Sequence, residues 1–188
     1  MSEEKTFKSL LERELIPMKR YFFIIISLIL IGGCSYQEKE EGTNELYLIP
    51  SGFEGTIIVF YDVPNKPVLE KEGRYSVIRV KFEYLEALEG TEIHQYGIYF
   101  TSTQDMNYGT VNNKYYYINE NGDRTSINEQ CTHVMGNGGF TGEDGKEIKY
   151  STIQITESQC GEAFYLDGKD DYYTQKEEVK SYWMNYFD

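Results

Sequence analysis

Between Met18 and Cys34 the chain reads Met-Lys-Arg, then an apolar run from Tyr21 to Ile31 broken only by Ser27, then Gly-Gly-Cys. No other stretch constrains the fold so strongly, because a positive pair followed by an apolar run and small residues directs a chain to a membrane rather than into a core. A transmembrane helix is the competing reading. The eleven residues of the run, at about 1.5 Å each, make a helix of roughly 17 Å, short of a hydrocarbon core about 30 Å thick. No stop-transfer pattern follows, so the segment reads as a cleavable signal covering residues 18–33, and the rest of the chain is expected to fold outside the cytoplasm.

Ile31-Gly32-Gly33-Cys34 resembles the lipobox of bacterial lipoproteins, an aliphatic residue and two small ones before a required cysteine. That resemblance implies cleavage before Cys34, a diacylglyceryl group on its sulfur, and a mature protein attached to the membrane without spanning it. Two acyl chains, at ~0.8 kcal/mol per buried CH₂, hold stably where one binds only marginally. Residues 1–17 form a charged amphipathic extension ahead of the positive pair. They read as an over-extended start, with Met18 as the initiator, because Glu12-Arg13-Glu14 can be encoded by a purine-rich ribosome-binding string; a long n-region is the alternative.

Removing residues 1–33 from 188 leaves 155, the size of one domain or a compact pair. The removed part holds 5 of the 18 Lys and Arg and 4 of the 31 Asp and Glu, so the mature part has 13 basic and 27 acidic side chains, a formal charge of −14. Phosphate backbones and anionic headgroups are repelled by such a surface, which argues against nucleic-acid binding. After Cys34, the polar and acidic residues up to Glu45 are expected to form a tether reaching at most roughly 40 Å. Residues 46–188 are expected to form a single extracytoplasmic domain.

That domain reads as β-rich. Leu46–Pro50 and Thr56–Val63 are runs of β-branched and aromatic residues bounded by Gly and Pro, the second of them apolar on both faces. Tyr75–Val80 and Gln95–Thr101 follow as strands, with residues 81–94 as an irregular connection containing one helical turn. Lys114–Ile118 and Arg124–Ile127 flank Asn121-Gly122, a hairpin signal. Cys131–Gly145 is Gly-rich and poor in apolar residues, so a long loop is expected, and Lys149–Thr156 alternates as another strand. Val179, Tyr182, Trp183 and Tyr186 fall at helical spacing in the tail, predicting a short C-terminal helix over 174–187. The expected architecture is an all-β sandwich of Greek-key or transthyretin-like type, with a hairpin, a Gly-rich loop and a C-terminal helix packed on it.

Tyr47-Leu48-Ile49-Pro50-x-Gly52-Phe53-x-Gly55, followed by an aliphatic strand, Pro64 and Pro67, and Gly73-Arg74-Tyr75, resembles an uncharacterised domain family of Gram-positive lipoproteins, over about Leu46 to Phe164. The same order is loosely similar to transthyretin-like (carboxypeptidase regulatory-like) modules. The first resemblance brings no established activity.

Three cysteines are present. With Cys34 taken by lipid, Cys131 and Cys160 remain as an even pair in a compartment where thiols oxidise, so a disulfide is expected; two separate buried thiols are the alternative. In the chain-entropy model a loop of that length contributes about 3–4 kcal/mol. Neither His94 nor His133 lies in a catalytic motif, and no Gly-x-Ser-x-Gly, His-Glu-x-x-His or Ser-x-x-Lys occurs. Cys131-x-His133 with Cys160 is the one arrangement that would support metal or thiolate chemistry, and a disulfide removes it. The acidic turns at Asp167–Asp171 and Glu143-Asp144-Gly145 lack the ligand spacing of a calcium loop. No cofactor or metal is therefore expected, and a hydrolytic or metal-dependent enzyme is the less favoured reading.

Seventeen of the 18 tyrosines belong to the mature part, with Tyr115, Tyr116 and Tyr117 consecutive. Alternate residues of a strand face opposite sides, so the trio is a candidate binding surface for a protein or carbohydrate partner, against the alternative that all three pack in the sandwich. The function read from the sequence is a non-catalytic binding or interaction module on a lipid tether, with an envelope inhibitor or immunity-type protein for a basic partner as the alternative. Cys34→Ala is expected to leave the precursor unprocessed and to abolish incorporation of labelled fatty acid; normal labelling would remove the lipobox reading.

Overall fold

The computed structural model describes residues 42–187 except 105, 107, 143 and 144. The signal segment, Cys34, most of the tether and the Glu143-Asp144 pair lie outside the described residues. Ten strands form two five-stranded sheets. In the first, β3 (Glu70–Glu72), β4 (Tyr75–Arg79), β1 (Glu45–Pro50), β7 (Lys114–Ile118) and β8 (Arg124–Ser126) lie in that order. In the second the order is β5 (Lys81–Tyr84), β6 (Gln95–Phe100), β2 (Gly55–Tyr61), β10 (Glu147–Ile155) and β9 (Thr132–Thr141). Two helices follow, α1 (Glu162–Asp167) and α2 (Asp170–Phe187).

The all-β sandwich expected from the sequence is the fold the chain adopts, with mixed sheets. β1 runs parallel to both β4 and β7, and β2 parallel to β6, while the remaining pairs are antiparallel. Period-two alternation sends Tyr47 and Ile49, Ile78, Tyr115 and Tyr117 inward from the first sheet, to meet Ile57, Val59, Tyr61, Ile153 and Ile155 from the second. Burying these side chains is the main stabilisation of the domain, at roughly 1.5–3 kcal/mol for each.

Every residue of β2 is buried, and its outward side chains, Ile58 and Phe60, form a second core with Val179, Trp183 and Phe187 of α2. The helix docks through Tyr172, Gln175, Val179 and Trp183, spaced three or four apart. It begins at Asp170 rather than near Thr174 because the buried positions start with Tyr172 and include a glutamine. Tyr182 and Tyr186, read from the sequence as part of the apolar stripe, are exposed.

Three further segments differ from their sequence reading. The Gly-rich segment is a ten-residue strand, β9, paired along β10. Its glycines fit the sheet: Gly138 lies under the Tyr150 ring, where a Cβ would come within 2.5 Å, and Gly136, at φ 108°, sits at the register shift beside Thr152 and Ile153. Residues 81–84, expected to be irregular, form β5. The domain also starts earlier than Leu46, since Thr43 N–H donates to the Thr110 carbonyl and Glu45 opens β1.

The first sheet is rolled. Its edges, β3 and β8, would stand about 19 Å apart in a flat sheet of this width, yet Arg124 of β8 makes a bidentate pair with Glu72 of β3 at 2.8 and 2.9 Å. The roll encloses a third apolar cluster of Leu46, Leu48 and Val77.

Residues Glu41–Asp188 make one compact unit with these cores. Gln175 joins α2 to the second sheet: its Oε1 accepts from Thr56 N–H at 2.6 Å, and its Nε2 donates to the Ile93 and Gln95 carbonyls, each at 2.6 Å. Gln175→Ala leaves one donor and two acceptors of the backbone unpaired. It is expected to lower unfolding free energy by about 2–5 kcal/mol, measured by urea denaturation of the chain from Ser35; a change within experimental error would show that α2 docks without it.

Candidate functional site

β1 opens with an acid that points inward. Glu45 is 4% exposed, and its two oxygens accept from different strands. Tyr47 Oη donates to Oε2 at 2.7 Å and Tyr61 Oη to Oε1 at 2.6 Å. Asn113, just before β7, accepts from Glu45 N–H at 3.0 Å and turns its Nδ2 toward Oε2 and Tyr115 Oη, both at 3.4 Å. Among the described residues Glu45 has no ion-pair partner. Burial pushes its carboxyl above the ordinary value, against the lowering effect of the Tyr61, Tyr47 and Asn113 hydrogen bonds. Burial likewise raises the Tyr47 and Tyr61 phenols, with the Glu45 charge adding to the effect, so both stay protonated donors.

Glu45, Tyr47 and Asn113 of this cluster form one wall of a cavity of about 90 Å³ between the sheets, which Thr43, Met106, Val134 and Ser151 also line. A larger cavity of about 330 Å³ adjoins it toward the surface, lined by Tyr115, Glu129, Thr132, His133, Tyr165 and Leu166. Val111, Asn113 and Val134 line both. The outer rim is apolar and open, with Val111 48%, Val134 42%, Tyr165 52% and Leu166 61% exposed.

The residues singled out from the sequence are distributed differently. Tyr115 and Tyr117 are buried in the inter-sheet core, while Tyr116 packs half-buried on the opposite face against Leu46, Leu48 and Val77. The trio therefore makes no exposed row, and Tyr115 reaches the site only as a wall of the outer cavity. Cys131 and Cys160 have Cα atoms 4.3 Å apart with their sulfurs joined at 2.06 Å. Backbone bonds flank the pair, from Thr156 N–H to the Cys131 carbonyl and from Gly161 N–H to that of Gln130. The sulfurs are thus unavailable to His133. That imidazole meets the Tyr165 carbonyl through Nδ1 and Tyr173 Oη through Nε2, each at 3.3 Å, where it secures the end of α1. No group of three or more His, Cys, Asp or Glu among the described residues is arranged to hold a metal.

Beside the cysteine pair, Glu54 fastens the β1–β2 turn. It accepts from Ser158 Oγ at 2.7 Å, Glu157 N–H at 2.9 Å, Thr156 Oγ1 at 3.1 Å and Tyr172 Oη at 3.2 Å. Burial alone would raise its pKa, but these hydrogen bonds together bring it below the ordinary value.

Two signals could have drawn the eye to Glu45. It lies two residues from Tyr47, on the same strand face, and it ends an acidic stretch exactly where apolar alternation begins. The two acids have opposite linkage. Glu45, raised in the folded state, binds its proton more tightly there than in the unfolded chain, so stability falls as pH rises from the unfolded value through the folded one. Glu45→Gln is expected to flatten that acid-side decline, measured as unfolding free energy against pH; an unchanged slope would mean the carboxyl is not the group responsible.

Residues 41–164 match the family described as "Family of unknown function (DUF6843)". The crystal structure named "Putative Lipoprotein from Bacillus anthracis" superposes with a TM-score of 0.58 at 29% sequence identity, covering 75% of this chain and 94% of that one. No curated protein matches the sequence. Because that match spans well over half of the chain, ending inside α1, the chain belongs to the family of unknown function DUF6843.

Proposed function

We propose that this chain is a lipoprotein held on the extracytoplasmic face of the membrane through Cys34, and that its domain is a non-catalytic binding module whose ligand enters between β7 and β9. The observation that carries the reading is the pair of adjoining cavities, the outer one opening between exposed Val, Tyr and Leu side chains and the inner one holding a few polar groups, Glu45 among them. Pockets with that division hold a ligand by its apolar body and orient it by a few polar groups. The lipobox of the sequence and the Bacillus anthracis neighbour's name support the anchor. No helix among the described residues is long and apolar enough to cross a membrane. A Cys131–Cys160 bond in the exported protein fits this setting, since it fastens the short 3-10 turn at Glu129–Cys131, one wall of the outer cavity, to the segment before α1.

A neutral apolar fluorophore, N-phenyl-1-naphthylamine, is expected to bind the chain from Ser35 at one site, with blue-shifted and enhanced emission. Leu166→Asp should abolish that signal while leaving far-UV circular dichroism unchanged. Binding that survives Leu166→Asp would move the site elsewhere. A second reading, an envelope inhibitor or immunity-type protein for a basic partner, draws on the formal charge of −14. Capture of a purified basic protein by the Leu166→Asp chain would favour it.

A further inference from the structure

We infer that the Glu45 cavity receives a primary ammonium group and that the outer cavity takes the aliphatic stem carrying it; this rests on the binding-module reading above. The inner cavity sets Glu45, Thr43 and Ser151 beside Met106, Val134 and Ile153. Thr43 Oγ1, in a residue 9% exposed, has no hydrogen-bond partner among the described residues and lines it together with Glu45 and with Ser151, whose hydroxyl lies beside that of Tyr61. Leaving a buried hydroxyl unpaired is unfavourable unless something enters to pair it. Tyr47 and Tyr61 spend their protons on Glu45 and Asn113 Nδ2 turns toward its Oε2 at 3.4 Å, which leaves the carboxylate about one of its four acceptor positions. Lys71, the cation whose field reaches Glu45, is engaged with Ser76 Oγ at 2.7 Å. A buried carboxylate in this position has hydrogen bonds but no counter-ion.

Size and donor geometry narrow the guest. A volume of about 90 Å³ corresponds to roughly three water molecules at about 30 Å³ each. That accommodates an –NH₃⁺ and its first methylenes. An ammonium offers three donors, matching one carboxylate and two hydroxyls. A hard metal cation wants about six to eight oxygens, and no three-acid cluster is present among the described residues. The stem then passes Val111 and Val134, which line both cavities, toward Leu166. The acidic chain as a whole favours the approach of a cation.

The test is calorimetric titration of the chain from Ser35, in physiological salt to screen diffuse attraction, with n-hexylammonium, hexan-1-ol and hexyltrimethylammonium. Saturable one-to-one binding is expected for n-hexylammonium, at least about tenfold weaker for the other two, which lack the charge or the donors. Glu45→Gln should erase the preference for the amine. Should that variant fail to fold, Thr43→Val, which keeps the shape and removes one acceptor, should weaken amine binding several-fold while hexan-1-ol is unaffected. Nα-acetyl-lysine methylamide distinguishes sources: tighter binding than n-hexylammonium points to a lysine side chain of a protein, weaker binding to a free amine. Equal affinity for hexan-1-ol and the amine overturns the ammonium inference and leaves the binding module standing. Absence of binding by all of them, together with loss of the fluorophore signal, overturns both.

Discussion

A strand that is apolar on both faces has to be covered on both, and β2 sets that requirement for the whole domain. Ile57, Val59 and Tyr61 face the first sheet, while Ile58 and Phe60 face away from it. A two-layer sandwich satisfies only the inner set. The outer set would put large apolar side chains in water, at roughly 25 cal/mol for each Å² left exposed, so the chain supplies a third layer from its own C-terminus. α2 is therefore part of the fold, and the polar docking through Gln175 follows from where it lands. The helix crosses the start of β2 and the end of the segment before β6, where backbone groups would otherwise be buried without partners.

The same requirement explains what could be read in advance. β2, β10 and the β7–β8 hairpin announce themselves through side-chain pattern and turn chemistry, and the both-faces-apolar pattern of Thr56–Val63 marks a central strand. β9 does not, because its place in the sheet rests on backbone pairing and on a glycine small enough to lie beneath Tyr150. A pattern of side chains cannot reveal a position chosen for having none. α2 was legible as a helix but with its docking face turned: Tyr182 and Tyr186 outrank Gln175 on any apolar scale, yet Gln175 is the buried residue because its three hydrogen bonds are available only there. The tyrosine trio shows the opposite fault. Alternation was read correctly, but in a sheet with apolar clusters on both faces the outward member, Tyr116, is also half covered.

Glu45 is only faintly legible, for a different reason. At the end of an acidic stretch an acid is expected to be solvated, and only the sheet register turns this one inward, in line with Tyr47 and level with Ser76. Register is fixed by the pairings of β1 with β4 and β7, since a slip of one residue would send Tyr47 and Ile49 out and Leu46 and Leu48 in. The position of the acid is thus a by-product of packing four apolar side chains correctly.

That origin bears on what the cluster does. Its partners come from β1, β2 and the residue before β7, so it assembles only when both sheets have formed and met. Closing the sandwich end with apolar residues would be at least as stable as burying an acid, because removing a charge from water is unfavourable even when it is well hydrogen-bonded. The domain instead keeps a carboxyl group and the unpaired Thr43 hydroxyl beside a cavity of about 90 Å³, next to a rim of exposed Val, Tyr and Leu side chains. Register accounts for the inward turn of Glu45, but not for its lack of a cation among the described residues. On the ammonium inference a bound guest would supply that charge and its donors, and its binding to the folded chain alone would add to the stability of the sandwich.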